Sequence, residues 1–272
     1  MEVLENIGIM DLGLRGRVAI VAAASKGLGR AVAEELAREG AHVAICSREA
    51  KNIEQTANDI QASTQQAILW RAVDVTQEHA VAGFVADVEK EFGRLDICVT
   101  NSGGPPSNSF ADTQPDDWRA AVDQLLMSTV FFARETLPRM KRNNWGRFIT
   151  ITSSAVKQPV DGLLLSNSLR AAVTGLARTL ANEYGTHGIT VNNLCPGYTR
   201  TARLDNLAKT ISARSNVKPD EVFAGWAHEI PAGRIGTPQE FASVVAFLAS
   251  ERASYVNGTS IAVDGGLVRS LL

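Results

Sequence analysis

Seven short apolar runs recur along this chain, with longer stretches of helical period between them. The runs are Val18–Ala22, Val43–Cys46, Ala67–Val73, Ile97–Thr100, Arg147–Thr152, Thr190–Leu194 and Ser260–Val263. Most are continuous rather than alternately apolar and polar, which suits strands covered on both faces. Between them, Leu28–Glu39, Glu49–Ala62, Gln77–Phe92, Pro115–Met140, Leu163–Tyr184 and Pro238–Ser250 read as helices, Pro115–Met140 as one long helix or two. Strand–helix alternation from end to end predicts a doubly wound α/β fold around a parallel sheet. No linker, low-complexity run or repeat divides it, so residues 1–272 are expected to form a single domain.

Bulk properties remove several functional classes. A net charge of −2 gives no basic field for nucleic acid. No run of about 18 apolar residues is present, so no membrane span is expected. The start MEVLENIGIMDLGLRG lacks the basic and long apolar regions of a signal peptide, and a cytoplasmic location is the expectation. Cys46, Cys98 and Cys195 each sit in or beside a β-branched run and read as buried strand thiols. Three scattered cysteines and four scattered histidines offer no metal-ligand spacing, so no metal is expected.

The first strand runs into Ala22-Ala23-Ala24-Ser25-Lys26-Gly27-Leu28-Gly29-Arg30. Glycines at a strand-to-helix turn let backbone amides approach a pyrophosphate at the positive end of a helix, as in Rossmann-type folds. Candidate contacts are Ser25, Lys26, Gly27, Leu28 and Gly29. An alanine at position 23 brings a methyl where backbone would run close to phosphate, and is expected to require a negative φ. The second strand ends in Cys46-Ser47-Arg48-Glu49. An acid here would bind a ribose diol, whereas an arginine suits a 2′-phosphate. Ser47, Arg48 and Lys26 together point to NADP(H).

This loop resembles the Thr-Gly-x-x-x-Gly-x-Gly pattern of short-chain dehydrogenase/reductases, with Ala22 and Ala23 replacing the threonine and first glycine. Further segments are similar in order and kind. Asp74-Val75 resembles the pair near the adenine, and Thr100-Asn101-Ser102-Gly103 resembles Asn-Asn-Ala-Gly. Pro196-Gly197-Tyr198-Thr199-Arg200-Thr201 resembles the segment lining the nicotinamide end, and Val263-Asp264-Gly265-Gly266 closes the pattern. The likeness spans roughly residues 12–268. It implies cofactor contacts at Asp74, Val75, Asn101, Gly103, Pro196, Gly197, Thr199 and Thr201, and a reductase similar to 3-oxoacyl-carrier-protein reductases.

The stretch Ser166-Asn167-Ser168-Leu169-Arg170-Ala171-Ala172 resembles the family's Tyr-x-x-x-Lys-Ala-Ala helix. The resemblance implies catalytic positions at Ser166, where the family has its acid–base tyrosine, and at Arg170, where a lysine would hold the ribose. A serine thirteen residues before the tyrosine position is matched by Ser153. The amide that holds a relay water in the family falls near Leu125. An alkyl hydroxyl is a far weaker acid than a phenol of pKa about 10, and an arginine does not give up its proton. Residues four apart share a helix face, so a Ser166–Arg170 pairing survives geometrically. Other groups considered for the proton are Tyr198, Lys157 and water, with Tyr198 otherwise a packing or substrate-wall residue.

Residues 199–235 are expected to form a substrate lid, with Leu204, Leu207, Ile211, Val222, Phe223 and Trp226 as an apolar wall or as its own packing. The long helices imply a homodimer or homotetramer by resemblance. The reading is an NADP(H)-dependent oxidoreductase acting on a small carbonyl or alcohol substrate with divergent proton transfer. Alternatives are a catalytically impaired NADP(H)-binding sensor or partner subunit, and an elimination or isomerisation on the same scaffold.

Overall fold

The computed structural model describes residues 11–107 and 109–271. Residues 1–10, part of the expected 1–272 domain and of the N-terminal stretch read for a signal sequence, lie outside the described residues. Seven strands form one parallel sheet: β1 (Val18–Ala22), β2 (His42–Ser47), β3 (Ile68–Ala72), β4 (Ile97–Thr100), β5 (Gly146–Ile151), β6 (Ile189–Pro196) and β7 (Ser260–Val263). Their order is β3-β2-β1-β4-β5-β6-β7. Every pairing is parallel; Ala19 of β1 lies beside Val43 of β2 on one side and Ile97 of β4 on the other. The order reverses between β1 and β4, where an open α/β sheet leaves a crevice at its carboxyl end.

The helices cover both faces: α1 (Gly27–Arg38), α2 (Ala50–Thr64), α3 (Glu78–Phe92), α4 (Pro115–Ala121), α5 (Ser128–Arg142), α6 (Leu164–Tyr184), α7 (Ala202–Ser215), α8 (Pro219–Glu229) and α9 (Pro238–Ala249). Alternate residues of β1 serve opposite cores. Ala19 and Val21 join residues of α1, α2 and α9, while Val18, Ile20 and Ala22 join those of α3, α5 and α6. Full burial on both faces explains the unbroken apolar run, each Val or Ile contributing about 1.5–3 kcal/mol. Helix α9 starts on a capping box, in which Thr237 accepts from the Glu240 amide and Glu240 from the Thr237 amide. No helix among the described residues is long and apolar enough to cross a membrane.

The stretch expected as one helix or two is one run with a π-helical turn, Val122–Met127, between α4 and α5. The wider turn disturbs the usual carbonyl pairing. Ser128 Oγ donates to the Gln124 carbonyl at 2.7 Å and Thr129 Oγ1 to the Leu125 carbonyl at 3.1 Å. The segment 199–235 contains α7 and α8. Leu204, Ala208, Val222 and Trp226 are buried against each other, with Tyr198, Leu207, Ile211, Phe223 and Ile235 around them. Most of its apolar side chains therefore face one another.

Candidate active site

The loops at the carboxyl ends of β1 to β6, with the first two turns of α6 and the first turn of α7, carry the candidate residues. The glycine loop is tightly built. A Cβ on Gly29 would lie 2.6 Å from the Ala23 carbonyl oxygen, and Gly27 has φ +60°. Ala23 corrects the expectation of negative φ: its φ is +50°. The sharp exit from β1 into α1 imposes the left-handed conformation, and the alanine adopts it at a steric cost. Asn101 Nδ2 reaches the Ala23 carbonyl at 3.5 Å, tying the β4 loop to the β1 loop. The Ser25 carbonyl is held by Thr56 Oγ1 at 2.9 Å. Lys26 is exposed, and Leu28 is partly buried against the core formed by α1, α2 and α9.

At the end of β2, Ser47 is 8% exposed and its Oγ is buried with no hydrogen-bond partner. A buried unpaired hydroxyl beside an exposed Arg48 and an exposed Lys26 is an incomplete polar set. An oxyanion or a ribose oxygen completes it, so the residues present fit an NADP(H) adenosine phosphate. Asp74 is exposed and accepts from Thr76 N at 3.0 Å and Thr76 Oγ1 at 2.8 Å, while Val75 is buried. The β4 loop continues through Ser102 and Gly103, and a Cβ on Gly103 would come within 2.9 Å of Gln124 Nε2.

Ser153 follows β5. Its Oγ accepts from the Ala155 amide at 3.1 Å. Ser166 and Arg170 lie on α6, 7% and 9% exposed. Arg170 Nε donates to Ser166 Oγ at 3.2 Å, and its Nη1 donates to the Ile151 carbonyl at 3.1 Å. Burial, and secondarily the charge of Arg203, pull the Arg170 pKa down to about 10. It stays protonated at neutral pH. No acid pairs with it among the described residues. A small cavity of about 10 Å³ lies beside it, lined in part by Ser102, Leu125, Thr129, Thr152 and Arg170. That volume is at the threshold for one water.

Tyr198 is placed elsewhere in kind. Its ring stacks on Trp226 with centroids 5.0 Å apart, within the packing of the 199–235 segment. Burial, then Glu229, pushes its pKa up, which makes it a weaker acid. Asn167 holds the loop before α6, donating to the Val160 carbonyl at 2.9 Å. Lys157 is half-buried just past β5. All three cysteines are buried. Desolvation pushes the Cys46 thiol up to about 12 and raises Cys98 and Cys195, so none is a ready nucleophile.

The β6 loop closes the crevice. Pro196 and Gly197 are partly buried, and a Cβ on Gly197 would meet Asp264 Cβ at 2.5 Å. Thr199 Oγ1 donates to the Gly197 carbonyl at 3.4 Å. Thr201 caps α7 through the Leu204 amide, and its Cγ2 would lie 3.4 Å from a Cβ on Gly27. The β6 and β1 loops therefore approach each other across the crevice. Sequence reasoning missed two residues. Asn193 is buried on β6, where Oδ1 accepts from Thr150 and Thr152 and Nδ2 donates to Thr174 and Ser260. Arg203, on the first turn of α7, lays its guanidinium on Gly104. A polar residue inside an apolar strand run was the signal for Asn193. Nothing in the spacing marked Arg203.

Comparison with known proteins places these features in a family. Residues 22–268 match the family described as enoyl-(acyl carrier protein) reductase. The NADPH-dependent reductase BacG of Bacillus subtilis (strain 168) is 31% identical over 256 residues, covering 94% of this chain and 99% of that one. The 3-oxoacyl-[acyl-carrier-protein] reductase FabG of Salmonella typhimurium is 32% identical over 259 residues, covering 94% and 99%. The crystal structure of L-sorbose reductase from Gluconobacter frateurii, complexed with NADPH and L-sorbose, superposes with a TM-score of 0.92 at 31% identity, covering 96% of this chain and all of that one.

Proposed function

The chain belongs to the short-chain dehydrogenase/reductase family, and on that footing we propose that it is an NADP(H)-dependent oxidoreductase of a carbonyl/alcohol pair in which Ser153, Ser166 and Arg170 replace tyrosine-dependent proton transfer. NADPH is in the names of BacG and of the L-sorbose reductase complex, and the open polar set at Ser47, Arg48 and Lys26 suits the same cofactor here. When bound, NADP(H) supplies or accepts the hydride. Lys26 and Arg48 hold its 2′-phosphate. Gly27, Leu28 and Gly29, at the start of α1, offer backbone amides to its pyrophosphate. The turns carrying Asp74 and Val75, and Asn101 and Gly103, flank its nucleoside portions, and Pro196, Gly197, Thr199 and Thr201 close over it.

One observation carries the chemistry: the buried hydrogen bond from Arg170 Nε to Ser166 Oγ. An oxygen that accepts an N–H keeps its own hydrogen free to donate. Ser153 is arranged alike, since its Oγ accepts from the Ala155 amide. Both hydroxyls are thus set to donate to a substrate oxygen. The Arg170 charge stabilises negative charge on Ser166 Oγ or on that oxygen, an effect strengthened by its desolvated position. The adjacent cavity, lined by Thr129, Thr152 and Arg170 among others, has about the volume of one water beside this pair. Tyr198 remains the lesser candidate, because its ring is engaged with Trp226.

The test is NADPH binding followed by a panel of carbonyl and alcohol substrates. Turnover that is lost in Ser153→Ala supports the oxidoreductase. NADPH binding with no turnover across the panel would favour a sensor or partner subunit instead. Failure to bind NADPH would remove both readings.

A further inference from the structure

Arg203 occupies an unusual position. It is the second residue of α7, two after Thr201, whose Cγ2 would lie 3.4 Å from a Cβ on Gly27. Its side chain crosses from the β6 side of the crevice to the β4 loop. Both Nη atoms and Cζ lie almost equidistant from the point where a Cβ would stand on Gly104. Both Nη atoms are slightly closer than Cζ, so the guanidinium meets that residue obliquely through its Nη end, and only a glycine leaves room for it. A guanidinium carries five N–H donors in one plane, and a pair of them along one edge matches a carboxylate bidentately.

No carboxylate satisfies it. Arg203 has no ion-pair partner among the described residues, although nearby Arg200 pairs with Asp205 at 2.8 Å. Arg170, buried and equally without an acid, feels the Arg203 charge as a repulsion. Two mutually repelling guanidinium groups are thus held near each other, one of them hydrogen-bonded to Ser166. Such an arrangement costs stability unless an anion occupies the space. The phosphates of the cofactor are already matched by Lys26, Arg48 and the amides that open α1.

We propose that Arg203 anchors a carboxylate on the substrate, so that the carbonyl compound reduced is an oxo acid. The proposal rests on the oxidoreductase reading above. Arg203 is a specificity residue in it. Gly104 leaves the room that its guanidinium occupies, and Arg170 adds long-range attraction for the same charge. A bidentate guanidinium–carboxylate contact discriminates against a neutral isostere, because the unpaired donors remain desolvated when the ester binds.

The test uses the full-length protein with NADPH and a set of short 2-oxo and 3-oxo acids, each beside its methyl ester. For the wild type, kcat/KM for the best acid should exceed that for its ester by at least about tenfold. In Arg203→Met that ratio should collapse towards one, mainly through KM for the acid. Arg203→Lys should recover only part of it, and Gly104→Ala should reduce it by displacing the guanidinium. NADPH affinity of Arg203→Met should stay within about twofold of wild type. Equal use of acids and esters by the wild type would overturn the proposal, as would an acid preference that survives Arg203→Met. A large loss of NADPH affinity in Arg203→Met would also overturn it, by assigning Arg203 to the cofactor. Titration of the same acids into the NADPH complex, read by nicotinamide fluorescence, separates the two claims. Acid binding that disappears in Arg203→Met supports the anchor even if nothing turns over, in which case only the oxidoreductase reading fails. No binding and no turnover of any acid would overturn the anchor.

Discussion

Arg170 Nε donates to Ser166 Oγ at 3.2 Å, one helical turn apart and with both residues buried. The bond consumes an acceptor site on Ser166 and leaves its hydrogen to be directed elsewhere. Ser166→Ala should therefore lower kcat by about 10–100-fold, within the usual range for a proton-transfer group. KM for NADPH should change little, and steady-state kinetics with both substrates varied would show the split. An unchanged kcat would place proton transfer elsewhere.

The double change Ser166→Tyr with Arg170→Lys restores the phenol and ammonium that the family pattern carries. Carbonyl reductase activity should rise by about tenfold or more. Leu125→Asn, added at the π-helical turn, should increase it further by giving the adjacent cavity an amide partner. A folded, NADPH-binding double variant with no gain would show that the site has diverged beyond these two positions.

Arg48 is exposed and unpaired at the end of β2, next to the unpartnered Ser47 hydroxyl. Arg48→Ala should weaken NADPH binding by about 10–100-fold, the equivalent of one or two charge-assisted hydrogen bonds. NADH binding should change by less than about threefold. Fluorescence titration of both cofactors decides this, and equal losses would disprove a 2′-phosphate site.

Ala23 holds φ at +50° at the exit of β1. A left-handed alanine costs about 1–2 kcal/mol, and glycine gives back about 0.5–1 kcal/mol of that in chain entropy. Ala23→Gly should thus stabilise the protein by about 0.5–1 kcal/mol, a rise of about 1–4 °C in Tm by calorimetry. A lower Tm would mean that the methyl contributes packing that outweighs the strain.

Glu240 links Arg234 to the start of α9. Its carboxylate is held down to about 2, mainly by the Arg234 guanidinium and then by the Thr237 amide. A depressed carboxylate contributes stability that is fully present above its unfolded value near 4.5 and lost as pH falls through about 2. Glu240→Gln should accordingly be less stable than wild type above pH about 5, with the gap closing between about 4.5 and 2. Acid titrations followed by circular dichroism would measure it, and a gap that widens on acidification would contradict the linkage.

Most strands were legible because they are buried on both faces; the edge strands β3 and β7 are only partly covered. β1, β4 and β7 run over the same residues that the apolar pattern marks, and the other strands shift by one to two residues at their ends. The π-helical turn was not legible, since 3.6- and 4.4-residue windings share the same apolar spacing over six residues. The sign of φ at Ala23 was misread for a related reason. Local propensity argues against a left-handed alanine, and the closure of β1 onto α1 overrides it. Among the site residues, Tyr198 shows the limit most plainly. Its place after Pro196-Gly197 puts it near the crevice, but its engagement with Trp226 depends on a helix beginning 21 residues later.

The sequence by itself determined the alternation of strands and helices and the glycine turn after β1, because those depend on periodicity and on glycines placed at strand ends, while the family followed from its motifs occurring in order. It also named Ser153, Ser166 and Arg170. Only the tertiary structure decided what those side chains do: which oxygen Arg170 donates to, that Leu125 leaves a water-sized cavity, and that Arg203 reaches Gly104 across the crevice. Those relations join residues from separate strands and helices, where direction and distance arise from packing rather than from spacing along the chain.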